Sequence, residues 1–370
     1  MEAGDASEAI QIFRRILARQ PDLPRVRLEL ARAYFHARQW EHSRREFLAV
    51  LSGGVPDTVK LRIIQFLRAI DARRGFDWNL EAGFSTSPQS ARHYDSDVVM
   101  IDFLGIPVPF EIDRNDDGDY GIKVRGAAEY RVEVPGLGGE RVKILAFGSA
   151  FFSVFEGNGS GADDYLGGAE AGLRGAWPRV TATGAVAASM REYGGRHFED
   201  RLELRAALEW RSPAGLSLFA SGAAGILDDH ISEFRDGQTA RLRAGAAQSI
   251  GGRGQAGLAL TGERLDADEG FESYTSLGAE VFGFTDLGLG IDASARVYLA
   301  NQQFDERIPG FFAKADAWEY GADLDLTKTD VFVFGQFSPY VKLGLTRRDS
   351  DLDAFSYTET RIEAGLRKAF

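Results

Sequence analysis

The chain has 370 residues, with 43 Lys and Arg against 55 Asp and Glu, 44% hydrophobic residues and no cysteine. The lack of cysteine excludes disulfides, thiolate metal sites and cysteine nucleophiles, and a formal net charge of −12 argues against a nucleic-acid partner. The apolar stretches are too short for a membrane-spanning helix, whereas 43 glycines together with 11% aromatic residues fit a many-stranded β protein.

The charge and the hydrophobic pattern both change near Gly75. Residues 1–75 carry 14 basic and 9 acidic side chains, whereas residues 76–370 carry 29 and 46. Apolar residues recur at helical spacing before this point and at alternate positions after it. We therefore predict a helical domain over residues 1–75 and a β domain over residues 76–370.

The first domain contains four predicted helices. In Ala6–Arg19 the apolar residues fall at i, i+3, i+4 and i+7, which predicts a helix with one apolar stripe. Similar stripes predict helices over Pro24–Arg38, over Trp40–Leu51 and from Pro56 onward. The spacing of about 34 residues between Pro21 and Pro56, with small and aromatic residues between them, indicates a tetratricopeptide repeat. A plain helical bundle is the alternative.

Such repeats bury their faces by stacking, so a short helical head is expected to be a truncated array. Met1–Asp5 is polar and lacks the basic and apolar regions of a signal peptide. Met1 is therefore expected to be a trimmed or internal start.

The second domain alternates apolar and charged residues with the period of two that a strand requires. In Arg201–Arg211, Leu202 and Leu204 share one face while Glu203 and Arg205 share the other. Most of these alternating segments exceed the roughly 9–11 residues that cross a bilayer at a tilt. About fourteen strands are predicted, near residues 78–87, 121–134, 141–155, 164–177, 179–192, 200–211, 215–227, 238–250, 253–265, 272–284, 287–302, 317–328, 338–347 and 356–370.

The connections between these strands alternate between long and short. Outer-membrane barrels keep their periplasmic turns short and their outer loops long. An antiparallel barrel in outer-membrane lipid is therefore favoured over a soluble β sandwich, with the helical head on the periplasmic side, and a monomer is expected. The long connections are expected at residues 88–120, 156–163, 193–199, 228–237, 266–271, 303–316 and 348–355.

The end of the chain and the charged strand faces add two predictions. Phe370, with Leu366, Ala364 and Ile362 at alternate positions before it, matches the C-terminal signature of bacterial outer-membrane barrels, so the barrel-assembly machinery is an expected partner. The charged faces carry both signs, which predicts either ion-pair ladders that stiffen the barrel or a polar conduit, and argues against a strongly ion-selective pore. The candidate lumen-lining residues are Arg201, Glu203, Arg205, Glu359, Arg361, Glu363 and Arg367.

Few residues suggest catalytic chemistry. The sequence has no Gly-x-Ser-x-Gly elbow and no His-Glu-x-x-His helix, so neither an enzyme nor a cofactor is expected. Asp228–His230 is interpreted as a solvated loop in preference to a hydrolase site. Asp113, Asn115 and Asp117 fit the first half of an EF-hand calcium loop, but Val124 stands where that loop needs glutamate, so a solvated acidic turn is preferred.

Three stretches resemble the surface lipoprotein assembly modifier family. Pro21–Phe76 is similar to the tetratricopeptide end of that family, and Gly335–Phe370 is similar to its last two strands. Pro107–Glu111 (PVPFE) resembles its Leu/Val-Pro-Phe element. The resemblance implies a helical repeat domain fused to an outer-membrane barrel that helps move lipoproteins, or in some members soluble haem- or metal-acquisition proteins, to the bacterial surface. It implies no catalytic residues.

An outer-membrane translocator is therefore expected, with a periplasmic head that engages cargo and a barrel that provides the route. An exopolysaccharide exporter of the repeat-plus-barrel kind is the alternative. Such exporters usually have long repeat arrays and a lumen of one dominant charge, whereas this head is short and the predicted lumen is mixed. An outer-membrane hydrolase and a passive porin are less favoured hypotheses.

Overall fold

The computed structural model describes residues 3–51, 56–86, 92–112, 120–139, 142–158, 163–333 and 336–368. The chain begins with four helices, α1 Ala3–Arg19, α2 Pro24–His36, α3 Trp40–Leu51 and α4 Asp57–Arg74. Their apolar stripes meet in a core where Phe47, Ile63 and Leu67 have no exposed surface. Helix α1 packs on α2 through Ile10 and Tyr34. Within the described segments, no helix has both the length and the hydropathy that crossing a bilayer requires.

The helical head passes directly into the first strand. Helix α4 ends at Gly75, whose φ of +70° lies in the left-handed region that favours glycine. The strand begins at Phe76, and the backbone N–H of Arg131 donates to the Gly75 carbonyl at 2.6 Å. The change from helix to strand therefore falls at Gly75.

The β domain is a closed antiparallel barrel. Strands β1 and β5 to β17 pair in chain order, and β1 also pairs with β17, which closes a barrel of fourteen strands within the described residues. The predicted fold class is confirmed. The strands are β1 Phe76–Thr86, β2 Arg92–Tyr94, β3 Val98–Phe103, β4 Ile106–Glu111, β5 Tyr120–Gly139, β6 Val142–Gly157, β7 Asp164–Ala176, β8 Val180–Tyr193, β9 Arg196–Arg211, β10 Leu216–Asp229, β11 Gly237–Ile250, β12 Gly254–Ala267, β13 Tyr274–Asp286, β14 Ile291–Phe304, β15 Ala317–Lys328, β16 Phe337–Ser350 and β17 Tyr357–Lys368.

The alternation of apolar and charged residues along each strand corresponds to the outer and inner faces of the barrel. On β9, Leu204 is 66% exposed on the outer face, whereas the neighbouring Glu203 is only 3% exposed. The same contrast recurs on β12, where Leu258 and Leu260 are exposed and Ala259 is buried. An apolar exterior around a charged interior is the arrangement of a barrel that spans an outer membrane.

Two connections differ from the sequence prediction. The long connection predicted at residues 193–199 is wrong, because Gly194 and Gly195 form a two-residue turn with φ values of +57° and +73°. Two successive positive φ angles define the hairpin turn that matches strand twist, and glycine adopts them without strain. The connection predicted at 88–120 is long, but within its described part it contains β2 and the hairpin of β3 and β4.

Candidate functional site: the barrel interior and its seam

The lumen-lining candidates on β9 face the barrel interior as ion pairs. Arg205 Nη2 lies 2.8 Å from Glu203 Oε2, and its Nη1 lies 2.9 Å from Glu170 Oε2 on β7. Arg201 Nε lies 2.6 Å from Glu199 Oε1. Because β7 and β9 are separated by β8, the long side chains of Arg205 and Glu170 meet on the concave inner face of the barrel.

The candidates on β17 face the same interior from another wall. Arg361 Nη2 lies 3.1 Å from Asp323 Oδ1 on β15, and Arg361 Nε lies 3.1 Å from Glu359. Arg367 Nη2 lies 2.8 Å from Asp325 Oδ2, again on β15. The candidates therefore line one lumen but form two separate groups.

The barrel interior also contains an arginine, Arg243, that the sequence analysis does not single out. Arg243 on β11 borders three interior cavities of about 610, 670 and 560 Å³. Its Nε donates to Glu280 Oε1 at 2.6 Å, and its guanidinium lies 4.7 Å from the Phe219 ring and 5.1 Å from the Phe282 ring. Arg241 and Arg243 stand two positions apart in the sequence, so both belong to the charged face of one strand. This spacing could have identified Arg243 as a lumen-facing residue.

The boundary between β1 and β17, called the seam from here on, is the shortest ladder between neighbouring barrel strands within the residues that the structure describes. Residues 81–85 pair with residues 363–367, whereas the other neighbouring barrel strands pair over at least eleven residues. Gly83 lies opposite Gly365 at the middle of the seam. A Cβ on Gly365 would lie 2.1 Å from the Ala82 carbonyl oxygen, so the two backbones approach more closely than a side chain would allow.

Ion pairs on the inner side hold the seam together. Arg125 Nη2 lies 2.9 Å from Glu81 Oε2 and also pairs with Glu363 across the seam. Lys342 Nζ donates to Glu81 Oε2 at 2.7 Å, and the Tyr340 hydroxyl donates to Glu363 Oε1 at 2.5 Å. Three cations and three carboxylates balance one another in this seam cluster, which consists of Glu81, Arg125, Asp325, Lys342, Glu363 and Arg367.

At the end of the seam nearest the helical head, Lys368 bonds to the backbone of β1. Lys368 Nζ donates to the Trp78 carbonyl at 2.5 Å and lies 4.5 Å from the Trp78 ring. Its side chain is almost fully buried. This bond joins β17 to β1 on the head side of the Glu81–Arg367 pair, which is the last described pair of the ladder.

The upper end of β17 is covered by a strap, residues 92–95. Strand β2 pairs with the start of β17, and Arg92 Nε donates to Glu359 Oε2 at 3.1 Å. Asp95, which follows β2, accepts two bonds from the Arg347 guanidinium at 2.6 and 2.5 Å. These bonds hold the pKa of the Asp95 carboxyl below its ordinary value, because the carboxylate form accepts them. The strap therefore pairs with β17 beyond the described part of the seam ladder.

The helical head contacts the barrel at the end opposite the long connections that follow β1 and β14. Phe332, in the connection between β15 and β16, packs against the core of the head. Lys60 Nζ of α4 donates to the Asp330 carbonyl at 3.4 Å. The head is thus joined to β1 covalently at Gly75 and contacts the β15–β16 connection, which lies on the β17 side of the seam.

The remaining sequence-predicted residues divide into two groups. Ile362 and Ala364 are exposed on the outer face of β17, and Leu366 is half-buried there. Phe370 and the weak calcium candidates lie outside the described residues; these candidates are Asp113, Asn115 and Asp117.

Fold and interior together define an outer-membrane β-barrel with a tetratricopeptide-like helical head. A tetratricopeptide repeat family model matches residues 1–52, and a model of a protein family of unknown function, DUF2860, matches residues 221–367. The chain is 32% identical to Surface lipoprotein assembly modifier 1 of Neisseria meningitidis over 84 residues. The aligned stretch covers 23% of this chain and 17% of that relative. This alignment and the tetratricopeptide match confirm the predicted resemblance to the surface lipoprotein assembly modifier family. The alignment thus spans about a sixth of the length of the curated relative.

Several solved outer-membrane proteins are similar at low identity. OmpT of Vibrio cholerae has a TM-score of 0.42 at 10% identity, with 79% of this chain and 96% of that chain covered. The outer membrane channel DcaP of Acinetobacter baumannii has a TM-score of 0.42 at 10% identity, with 80% and 98% covered. A bacterial polysaccharide outer membrane secretin has a TM-score of 0.39 at 10% identity, with 79% and 98% covered.

Proposed function

We propose that this protein is an outer-membrane translocator that delivers lipoproteins, or soluble haem- or metal-acquisition proteins, to the bacterial surface. The periplasmic head engages the cargo, and the barrel provides the route; the chain carries out no catalysis. The observation that carries the proposal is the fixed position of a tetratricopeptide-like head at one mouth of a membrane barrel. A repeat surface offers binding area for a protein partner, and a passive pore has no use for one.

The orientation of the barrel supports the proposal. The head contacts the end where β7 joins β8 and β9 joins β10 through short turns, and outer-membrane barrels place such turns in the periplasm. Cargo that has crossed the inner membrane would therefore meet the head first.

The route proposed for the cargo is the seam. Ion pairs such as Arg205 with Glu170 and Arg243 with Glu280 lie in the barrel interior, and a folded protein that passed through the lumen would have to break them. In the described part of the chain the seam is held by a five-residue ladder, 81–85 with 363–367, and by ion pairs such as Arg125 with Glu363. An opening there would let lipid anchors stay in the bilayer while the polypeptide passes beside the lumen.

Deleting residues 1–75 tests the role of the head. We expect loss of surface display of the cognate lipoprotein, measured by protease accessibility on intact cells, while the barrel still shows its heat-modifiable mobility on gels. Unchanged display would remove the proposal. Loss of polymer secretion with display intact would support the exporter alternative.

A disulfide lock tests the route, because the chain has no cysteine of its own. Phe84→Cys with Ala364→Cys places two thiols directly opposite each other across the seam, and Leu258→Cys with Val281→Cys does the same between β12 and β13. Oxidation of the first pair should stop display, and reduction should restore it. Oxidation of the second pair should have no effect. Equal display with both locks would exclude the seam as the route.

A further inference from the structure

Three polar side chains meet at the barrel rim opposite the head. His197 Nε2 lies 3.0 Å from Asp200 Oδ1, and His230 Nε2 lies 3.1 Å from Asp200 Oδ2. The two imidazole rings lie edge to face with their centroids 4.1 Å apart. One donor atom from each of the three residues falls within 4.8 Å of the other two, and all three side chains are partly exposed.

A β-bulge brings the first histidine to this position. In a regular strand, residues three apart point to opposite faces, so His197 and Asp200 would be separated. Between β8 and β9 the register shifts, with Arg191 opposite Glu199 but Glu192 opposite His197. One extra residue in β9 therefore turns His197 to the outer face of the barrel that Asp200 occupies.

The second histidine is held by the loop that follows β10. The buried Asp229 carboxylate, 2% exposed, accepts bonds from the backbone N–H groups of Ile231 at 3.0 Å and Ser232 at 2.9 Å. The His230 N–H donates to the Phe198 carbonyl at 2.9 Å. The interpretation of this segment as a solvated loop is therefore wrong for Asp229, whose bonds fix the backbone on both sides of His230.

We propose that His197, Asp200 and His230 bind one divalent transition-metal cation of the zinc class at the outer rim of the barrel. Two imidazole nitrogens and one carboxylate oxygen are a common donor set for such ions, whereas calcium and magnesium prefer oxygen donors alone. Three protein ligands leave a coordination position open for water or for a donor of a molecule at the surface. The proposal is independent of the transport function.

The geometry suits a tetrahedral ion. In a tetrahedral site, donor atoms about 2.0–2.2 Å from zinc lie about 3.3–3.6 Å from one another. His197 and His230 each place Nε2 near this spacing from one oxygen of Asp200, at 3.0 Å from Oδ1 and 3.1 Å from Oδ2 respectively. Asp228 and Asp236 also place negative charge near His230, which favours a cation. Binding would replace these two hydrogen bonds to Asp200 by bonds from the ion to the two imidazole nitrogens and one carboxylate oxygen.

The test is metal binding by the full chain in detergent, after removal of any affinity tag and treatment with a chelator. Co²⁺ is titrated and its visible absorption recorded, and Zn²⁺ is then added in competition. We expect the Co²⁺ absorption to saturate at one ion per chain and to disappear when Zn²⁺ displaces Co²⁺. His197→Gln, His230→Gln and Asp200→Asn should each weaken binding about tenfold or more. His93→Gln, which changes an exposed histidine on the strap, should bind like the parent chain.

A second measurement does not depend on the folding of any variant. Zn²⁺ should protect His197 and His230 of the parent chain, but not His93, against diethyl pyrocarbonate, as read by mass spectrometry. Binding by the double variant His197→Gln/His230→Gln equal to that of the parent, or equal modification of all three histidines with and without Zn²⁺, would overturn the site. Equal competition by Ca²⁺ would overturn its assignment to a transition metal.

Discussion

The seam cluster makes a quantitative prediction for the variant Arg125→Gln. This change removes two charge-assisted contacts, one to Glu81 and one to Glu363, and the second carboxylate is only 8% exposed. Hydrogen bonds to charged groups contribute about 1.5–3 kcal/mol each, and a buried carboxylate that loses its partner costs more. Because Lys342 still contacts Glu81 and Tyr340 still contacts Glu363, we expect a loss of about 2–4 kcal/mol in the free energy of unfolding.

The assay is guanidinium unfolding of the purified chain in detergent micelles, followed by the fluorescence of its five tryptophans. The matched control is Arg211→Gln, which removes an arginine that pairs with Glu209 at 2.6 Å but is 69% exposed. That variant should lose less than about 1 kcal/mol, because exposed ion pairs contribute little. A double-mutant cycle with Glu363→Gln should show coupling with Arg125→Gln of about 1–3 kcal/mol.

The prediction fails if Arg125→Gln costs no more than Arg211→Gln. It also fails if the effects of Arg125→Gln and Glu363→Gln simply add. In either case the ion pairs would not hold the seam in the way proposed.

Three further predictions follow from other contacts. Phe332→Ala removes a ring packed against the core of the head, so limited proteolysis near residue 75 should become faster while the barrel keeps its heat-modifiable mobility. Gly365→Val places a Cβ 2.1 Å from the Ala82 carbonyl oxygen, so the seam strands must separate and the folded form should denature at a lower temperature on gels. Asp95 contributes stability only while it is ionised and bonded to Arg347; since its pKa is lowered on folding, that contribution is present above the ordinary aspartate range and is lost as the pH falls below it. Protease cleavage of the strap should accordingly increase in acid, and Asp95→Asn should reduce this pH dependence.

Neighbouring positions supply the controls. Val331→Ala changes an exposed residue beside Phe332 and should leave cleavage near residue 75 unchanged. Gly184→Val adds a side chain where no atom lies within 4 Å and should be tolerated. Equal effects of Val331→Ala and Phe332→Ala, or of Gly184→Val and Gly365→Val, would contradict the contacts invoked. A strap whose cleavage shows the same acid response with and without Asp95 would contradict the third prediction.

Much of the barrel could be predicted because its pattern is local. Alternation of apolar and charged residues places Leu204 outside and Glu203 inside from neighbours along one strand, and a ladder between adjacent strands follows from a short turn. The same alternation located the charged faces of β9 and β17. The prediction of a long connection at residues 193–199 is wrong because Gly194-Gly195 is a local signal for a two-residue hairpin turn, which the alternation of apolar residues does not record.

The sequence by itself thus determined a helical head followed by strands with one oily and one charged face. Only the tertiary structure decided which charges pair, since Lys342 and Glu81 are 261 residues apart and meet because the barrel closes. It likewise decided that Phe332 reaches the head and that a bulge turns His197 toward His230. Periodicity records which side of a strand a residue occupies, whereas the identity of its partner depends on closure, register and bulges, which no local pattern contains.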